Sequence, residues 1–271
     1  MIRVATIQMV SGEEVRDNLE TAAGLIRQAA GDQAKLLALP ENFPLMGRSE
    51  HARLAIRETF GTGPLQDFLS TQARQYGIWL LGGTIPLQAN RVDRVRAASL
   101  LYNPDGECIA RYDKMHLFDV FIDKEHRESY NESDAIEGGE SIVVASTPIG
   151  NIGLSVCYDV RFPELYRDMH SQAVQVITVP SAFTATTGKA HWEPLLRARA
   201  IENLCYVIAS NQGGRHSNGR ETWGHSMIID PWGKILAQVE QGPGFACADI
   251  DLEQQRTLRN DFPTLKHRKP D

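Results

Sequence analysis

The chain has 271 residues, 42% hydrophobic and 23% charged, an ordinary balance for a globular protein with a full core. That length fits two average domains or one large α/β domain; with no repeat, low-complexity tract or long Pro/Ser linker, a single domain over residues 1–271 is the expectation. A net charge of −6 without a basic run argues against a nucleic-acid surface, whose affinity rests on clustered Lys and Arg meeting phosphates.

The N-terminal MIRVATIQM alternates like a strand from its second residue and lacks a basic segment followed by an apolar one. No stretch approaches the ~20 apolar residues that cross a bilayer. A cytoplasmic protein with reduced thiols is therefore expected, with no membrane partner and no nucleic-acid partner. Onward from Val4 to Met9, short β-rich runs recur at Leu36 to Leu39, Ile78 to Thr84, Ala97 to Tyr102, Ile142 to Ala145, Ile152 to Val156, Val174 to Val179, Tyr206 to Ala209, Ser226 to Ile229 and Phe245 to Ile250. Helical periodicity marks Glu14 to Ala29, Pro64 to Tyr76, Pro163 to His170 and Trp192 to Asn203, two of them opening on proline. Pro104-Asp105-Gly106 and Asp230-Pro231-Trp232-Gly233 each read as the turn of a hairpin. Helices interleaved with hairpins predict a layered α/β sandwich rather than a purely parallel sheet.

Three residues stand where predicted strands end. Glu41 follows the apolar run LLALP, Lys114 closes the run CIARYD, and Cys157 lies between IGLSV and the polar RFPEL. Ligands of α/β folds gather at strand ends. Each residue has a plain alternative: a solvated loop acid, a surface lysine, a cysteine packed as a small hydrophobe. Together they supply a base, a cation for developing oxyanion charge and an attacking atom, which is what nucleophilic hydrolysis needs. A helix start just after Cys157 would favour its thiolate. Cys108, Cys205 and Cys247 lie in strand-like stretches, and no cysteine or histidine spacing suits a metal site or a disulfide framework.

The stretches ALPENF, RYDKMHLFD and GLSVCYDVRFPEL resemble, in order, the three signature segments of the nitrilase superfamily of carbon-nitrogen hydrolases. The likeness continues through PSAFTATTGKAHWEPLLRARAIEN, GHSMIIDPWGKILA and the closing HRKPD, so it covers nearly the whole chain. It implies a four-layer α-β-β-α sandwich, with Glu41 as general base, Lys114 as electrostatic stabiliser, Cys157 as nucleophile and Glu132 as a second glutamate orienting the lysine. Glu128-Ser129 and Glu132-Ser133 both fit the Glu-Ser pattern; Tyr130 and the distance to Gly138-Gly139 favour Glu132, and Glu128 is the alternative.

The activity implied is hydrolysis of the ω-amide of a small anionic 2-oxo acid, deaminated glutathione foremost and 2-oxoglutaramate-like acids next, through a cysteine thioester. Water is the second substrate, and no metal or organic cofactor is implied. Substrate contacts are expected from Tyr158, whose N–H follows the nucleophile, and from His116, Arg161 and Ser181. The family further implies a homodimer or higher homo-oligomer. A silent interaction module on the same fold is the rival reading, against which Glu41, Lys114 and Cys157 all stand intact.

Overall fold

Alternation along the first strand sets the architecture. In Ile2–Gln8, Val4 enters one hydrophobic core while Ala5 and Ile7 enter another. Successive side chains of a strand point to opposite faces, so a strand apolar on both faces must be covered on both. The neighbouring strand does the same, with Leu36 and Ala38 on one side and Leu37 on the other. The computed structural model that realises this pattern describes residues 1–123, 128–267 and 269.

The first sheet runs in the order Gly244–Ile250, Ile2–Gln8, Leu36–Ala38, Trp79–Leu81, Val95–Tyr102 and Ile85–Gln88, with Cys108–Asp113 also paired to Val95–Tyr102. Its three central strands are parallel and its outer pairings antiparallel. The second sheet orders Ile235–Val239, Ser226–Ile229, Tyr206–Ala209, Val176–Thr178, Gly150–Leu154 and Val143–Thr147, again with a parallel centre. Val4, Leu36, Leu81 and Leu101 of the first sheet share a core with Ile152, Leu154, Val176 and Ile208 of the second, so the sheets face one another. Helices Val15–Gly31 and Pro64–Tyr76 bury Ile26, Leu65 and Leu69 against the outer face of the first sheet. Pro163–Met169 and Ala185–Asn203 bury Tyr166, Trp192 and Leu196 against the second. The result is the α-β-β-α sandwich that the family likeness implies.

Several elements depart from the periodicity. The helix expected from Trp192 begins at Ala185, because Thr184 accepts a hydrogen bond from the Thr187 N–H (3.2 Å) and opens two further turns ahead of the apolar face. Ile85–Gln88 holds Pro86 and still pairs, as the last strand in its row. Between Phe118 and Glu132, where the sequence marks no strand, Asp119–Asp123 pairs antiparallel with Glu128–Asn131. Leu252–Asp261 is a helix capped by Asp251, which accepts from the N–H groups of Glu253 and Gln254. Its low apolar content hid it. Of the closing HRKPD, Arg268, Pro270 and Asp271 lie outside the described residues.

Buried polar groups tie the two sheets together near the ends of their strands. Thr6 Oγ1 donates to the Ala209 carbonyl (2.9 Å), and Ser210 Oγ donates to the Ala38 carbonyl (2.8 Å). The turn after Ala38 packs tightly on Gly83, which has φ +52°; a Cβ there would stand 2.1 Å from the Pro40 carbonyl oxygen. Since that obstacle is backbone next to Glu41, Gly83→Ala is expected to lower stability by about 1–3 kcal/mol. A fall in the urea midpoint at unchanged slope would register it, and a wild-type midpoint would contradict it.

Candidate active site

Lys114 follows the strand Cys108–Asp113, and its backbone is fixed from both sides. Its N–H donates to the Ala97 carbonyl (3.0 Å) and its carbonyl accepts from the Gly139 N–H (2.8 Å). Gly139 is needed for this approach, since a Cβ would fall 2.1 Å from the Asp113 carbonyl oxygen. The lysine side chain is 1% exposed and points at two carboxylates. Nζ lies 2.8 Å from Glu41 Oε1 and 2.9 and 2.8 Å from the two oxygens of Glu132. Glu132 Oε2 also accepts from the Phe118 N–H (2.7 Å), and Glu41 Oε2 from the Ala182 N–H (2.9 Å).

Cys157 sits at a strained corner. With φ +49° it occupies the left-handed region, uncommon for a residue with a side chain. Its own N–H donates to the Pro180 carbonyl (2.9 Å). Behind it the fully buried Asp159 collects donors: Val156 N–H (2.8 Å) and Tyr112 Oη (2.7 Å) on one oxygen, His116 N–H (3.0 Å) and His116 Nδ1 (2.7 Å) on the other. Arg199 Nε holds the Val160 carbonyl (2.9 Å). The conformation is thus fixed from several directions, the condition under which such strain persists.

The titration preferences of the group follow from burial and sign. Burial would depress the Lys114 ammonium, but Glu132 and Glu41 beside it carry its pKa well above the usual value. Burial works to raise Glu41, and the Lys114 charge and hydrogen bond outweigh it, leaving its carboxyl below the usual range. Glu132 goes the other way, because burial and the nearby Glu41 charge prevail over Lys114. Burial, then Glu41, push the Cys157 thiol far up despite Lys114. The helical start expected to favour a thiolate is only a short 3₁₀ segment, Cys157–Arg161, and burial dominates it. At neutral pH the arrangement holds a protonated thiol near an ionised glutamate, with an ammonium alongside.

These groups open onto a narrow pocket whose lining includes Glu41, Lys114, Glu132, Cys157 and Tyr158. Of the other expected contacts, His116, Arg161 and Ser181 do not line it. His116 stacks on Phe162 with ring centroids 3.7 Å apart and holds Asp159. Arg161 lies over the rings of Tyr158 and Phe183, at 5.6 and 5.4 Å from their centroids. Ser181 is fully buried with its hydroxyl 3.2 Å from the Val179 carbonyl. The strand Glu128–Asn131 begins with the alternative glutamate, but the Glu128 side chain lies outside the described residues. The pocket also brings in Asn42 and Thr184, which lie inside the quoted stretches without having been singled out, and Glu50, Arg53 and Arg220, which no motif marked. Arg53, 8% exposed, pairs with Glu50 and donates from Nε to Asn42 Oδ1 (3.2 Å). It comes from an aperiodic segment, so only its place beside the ALPENF turn could have suggested it.

A cysteine, two glutamates and a lysine on an α-β-β-α sandwich define a thiol-dependent hydrolase of carbon-nitrogen bonds, and the chain belongs to the carbon-nitrogen hydrolase family, whose model matches residues 3–260. It therefore acts on carbon-nitrogen bonds other than peptide bonds. Within the family it is similar to the deaminated glutathione amidase of Yersinia enterocolitica, 43% identical over 267 residues, covering 98% of this chain and 92% of that protein. The Homo sapiens protein of the same name is 42% identical, over 99% of this chain and 82% of its own. Among solved structures, Nit3 of Saccharomyces cerevisiae, a member of branch 10 of the nitrilase superfamily, superposes with a TM-score of 0.85 at 32% identity, over 97% of this chain and 94% of that one. The C. elegans NitFhit protein gives 0.90 at 36% identity; all but 1% of this chain is covered, and it spans 65% of that longer chain.

Because the Glu41 carboxylate raises the thiol, Glu41→Gln should lower the pH at which Cys157 ionises, leaving Lys114 to favour the thiolate. Alkylation of Cys157 followed by peptide mass spectrometry across pH measures this. An unchanged or higher midpoint would show that Glu41 does not govern the thiol.

Proposed function

We propose that the chain is a single-domain amidase that cleaves the ω-amide of a small anionic 2-oxo acid, with deaminated glutathione the preferred substrate. The observation that carries the chemistry is that one carboxylate, Glu41, is hydrogen-bonded to the Lys114 ammonium and lines the same pocket as the Cys157 thiol, whose ionisation its charge opposes. The substrate preference is supported by relatives of that name at 42–43% identity over almost the full chain. The carboxylates of such an acid also suit a pocket that carries Arg53 and Arg220 besides Lys114.

In the proposed reaction Glu41 takes the thiol proton as Sγ attacks the amide carbon. Lys114 and the Tyr158 N–H stabilise the oxyanion. Glu41 then protonates the departing amine, which is cysteinylglycine from deaminated glutathione or ammonia from 2-oxoglutaramate, and a thioester remains. A water deprotonated by the same glutamate attacks the thioester, and 2-oxoglutarate leaves with the thiol restored. Glu132 is assigned to fixing Lys114, through both its oxygens. His116 and Arg161 are assigned to positioning Asp159 and Tyr158, and Ser181 to the turn that presents Ala182.

The reading places the protein in the cytoplasm as a homodimer or higher homo-oligomer. Among the described residues no helix is long and apolar enough to cross a membrane. The test is to follow 2-oxoglutarate, the common product, from both substrates. A higher kcat/KM for deaminated glutathione is expected, and equal or reversed preference would transfer the assignment to a general ω-amidase. Cys157→Ala should reduce either turnover by at least about 10³-fold. Activity retained in that variant would remove the cysteine from the mechanism.

A further inference from the structure

Three cations line the pocket, and two of them already have anionic partners. Lys114 is shared by Glu41 and Glu132, and Arg53 is paired with Glu50. Arg220 differs. Among the described residues it forms no ion pair, although Glu50 is near enough to feel its charge. Its Nη2 donates to the Ala182 carbonyl (2.9 Å), its guanidinium lies 5.0 Å from the centroid of the Tyr130 ring, and its Nε is buried with no hydrogen-bond partner. A buried donor without an acceptor carries a desolvation cost that a ligand oxygen would offset.

The backbone around Arg220 is built to hold that guanidinium in place. The residue ends a turn between Gly213–Arg215 and Glu221–Trp223, its N–H donates to Asn218 Oδ1 (3.0 Å), and Asn218 Nδ2 donates across to the Gly47 carbonyl (2.7 Å). Only the residue Ala182 separates it from the reacting groups, since the Ala182 N–H binds Glu41 Oε2 while the Ala182 carbonyl binds Arg220. In a 2-oxo acid ω-amide the amide carbon and the acid carboxylate are roughly 5 Å apart by ordinary C–C bond lengths. An amide carbon at Cys157 would bring that carboxylate within the reach of a neighbouring guanidinium, which binds carboxylates through parallel hydrogen bonds.

We infer that Arg220 is the specificity-determining residue that receives the carboxylate of the substrate's acyl half, an inference that rests on the proposed 2-oxo acid amidase activity. It follows that Arg220 selects for the acid shared by deaminated glutathione and 2-oxoglutaramate, and leaves the departing amine unread.

The test compares wild type with Arg220→Gln, which keeps a donor for the Ala182 carbonyl, and Arg220→Lys. The substrates are deaminated glutathione, 2-oxoglutaramate and levulinamide, in which a methyl group replaces the carboxylate. Arg220→Gln should lower kcat/KM for both acids by roughly 10- to 100-fold, mainly through KM, with levulinamide unchanged and part of the loss restored by Lys. An equal fall on levulinamide would make Arg220 a clamp on Ala182 and overturn the inference. A fall on deaminated glutathione alone would assign Arg220 to the leaving half, which also overturns it. If wild type hydrolyses neither acid, the proposed function fails, and the anchor is then read from protection of Cys157 against iodoacetamide by 2-oxoglutarate. Protection in wild type that is lost in Arg220→Gln would sustain the anchor, and no protection in wild type would end it.

Discussion

A buried ammonium cannot stand alone, and much of this structure answers that constraint. The Lys114 side chain is 1% exposed, and a charge so far from water is tolerated only with opposite charge and hydrogen bonds around it. Glu41 and Glu132 supply both, yet two carboxylates on one ammonium also repel each other. The resulting asymmetry decides their chemistry. Glu41 is held below the usual carboxyl range and Glu132 above it, so the more readily ionised of the two is the one that faces the cysteine. A base poised next to a thiol is thus a consequence of how the charge on one lysine is divided.

Holding that division requires elements distant in sequence to meet within hydrogen-bond length. Glu41 and Lys114 come from strands of the first sheet, Cys157 and Ala182 from the ends of strands in the second. The sandwich brings these edges together, and polar bridges between the sheets fix the spacing. Gln212 shows how: its Nε2 donates to the Glu41 carbonyl (3.0 Å) and Ser11 Oγ (2.9 Å), while its Oε1 accepts from the Ser11 N–H (3.0 Å). A fully buried amide engaged at both ends leaves little freedom for the first sheet to slide over the second. The strain at Cys157 is offset in the same way, by bonds from Pro180, Asp159 and Arg199 that together admit one conformation of the corner.

What could be read from sequence divides along a physical line. Short apolar, β-rich runs mark Val4 to Met9 and Tyr206 to Ala209 because both faces of those strands are buried, and the signature stretches locate Glu41, Lys114 and Cys157 because each directly follows a strand run. Thr184 shows the other side: its cap begins a helix well before any apolar stripe, so periodicity starts that element at Trp192. Arg53 and Arg220 were invisible for a related reason. Their places depend on how the segment after Glu41 and the His216 to Arg220 turn fold back over the pocket, which no local pattern records. His116 and Arg161 were visible, but they stand outside the pocket lining, His116 on Asp159 and Phe162 and Arg161 over the rings of Tyr158 and Phe183. Arginine and histidine near a nucleophile look alike in sequence whether they touch a ligand or the groups that do.

The protonated thiol shapes what the proposed reaction has to accomplish. In a thiolate-imidazolium pair the nucleophile is charged before the substrate arrives; here the stored charges belong to Glu41 and Lys114, and the sulfur is neutral. Attack must therefore be coupled to proton transfer, with the negative charge of Glu41 passing by way of sulfur to the carbonyl oxygen. Lys114 counters that charge at its start on Glu41 and, on this reading, at its end on the oxyanion. The field that the ammonium makes in a buried site needs no rearrangement as the charge moves, which is the condition under which electrostatic stabilisation is most effective. Glu132 then has a purpose beyond neutralising a buried charge. By binding Lys114 through both oxygens it keeps the ammonium in place when Glu41 becomes a neutral acid and its attraction to the lysine falls away.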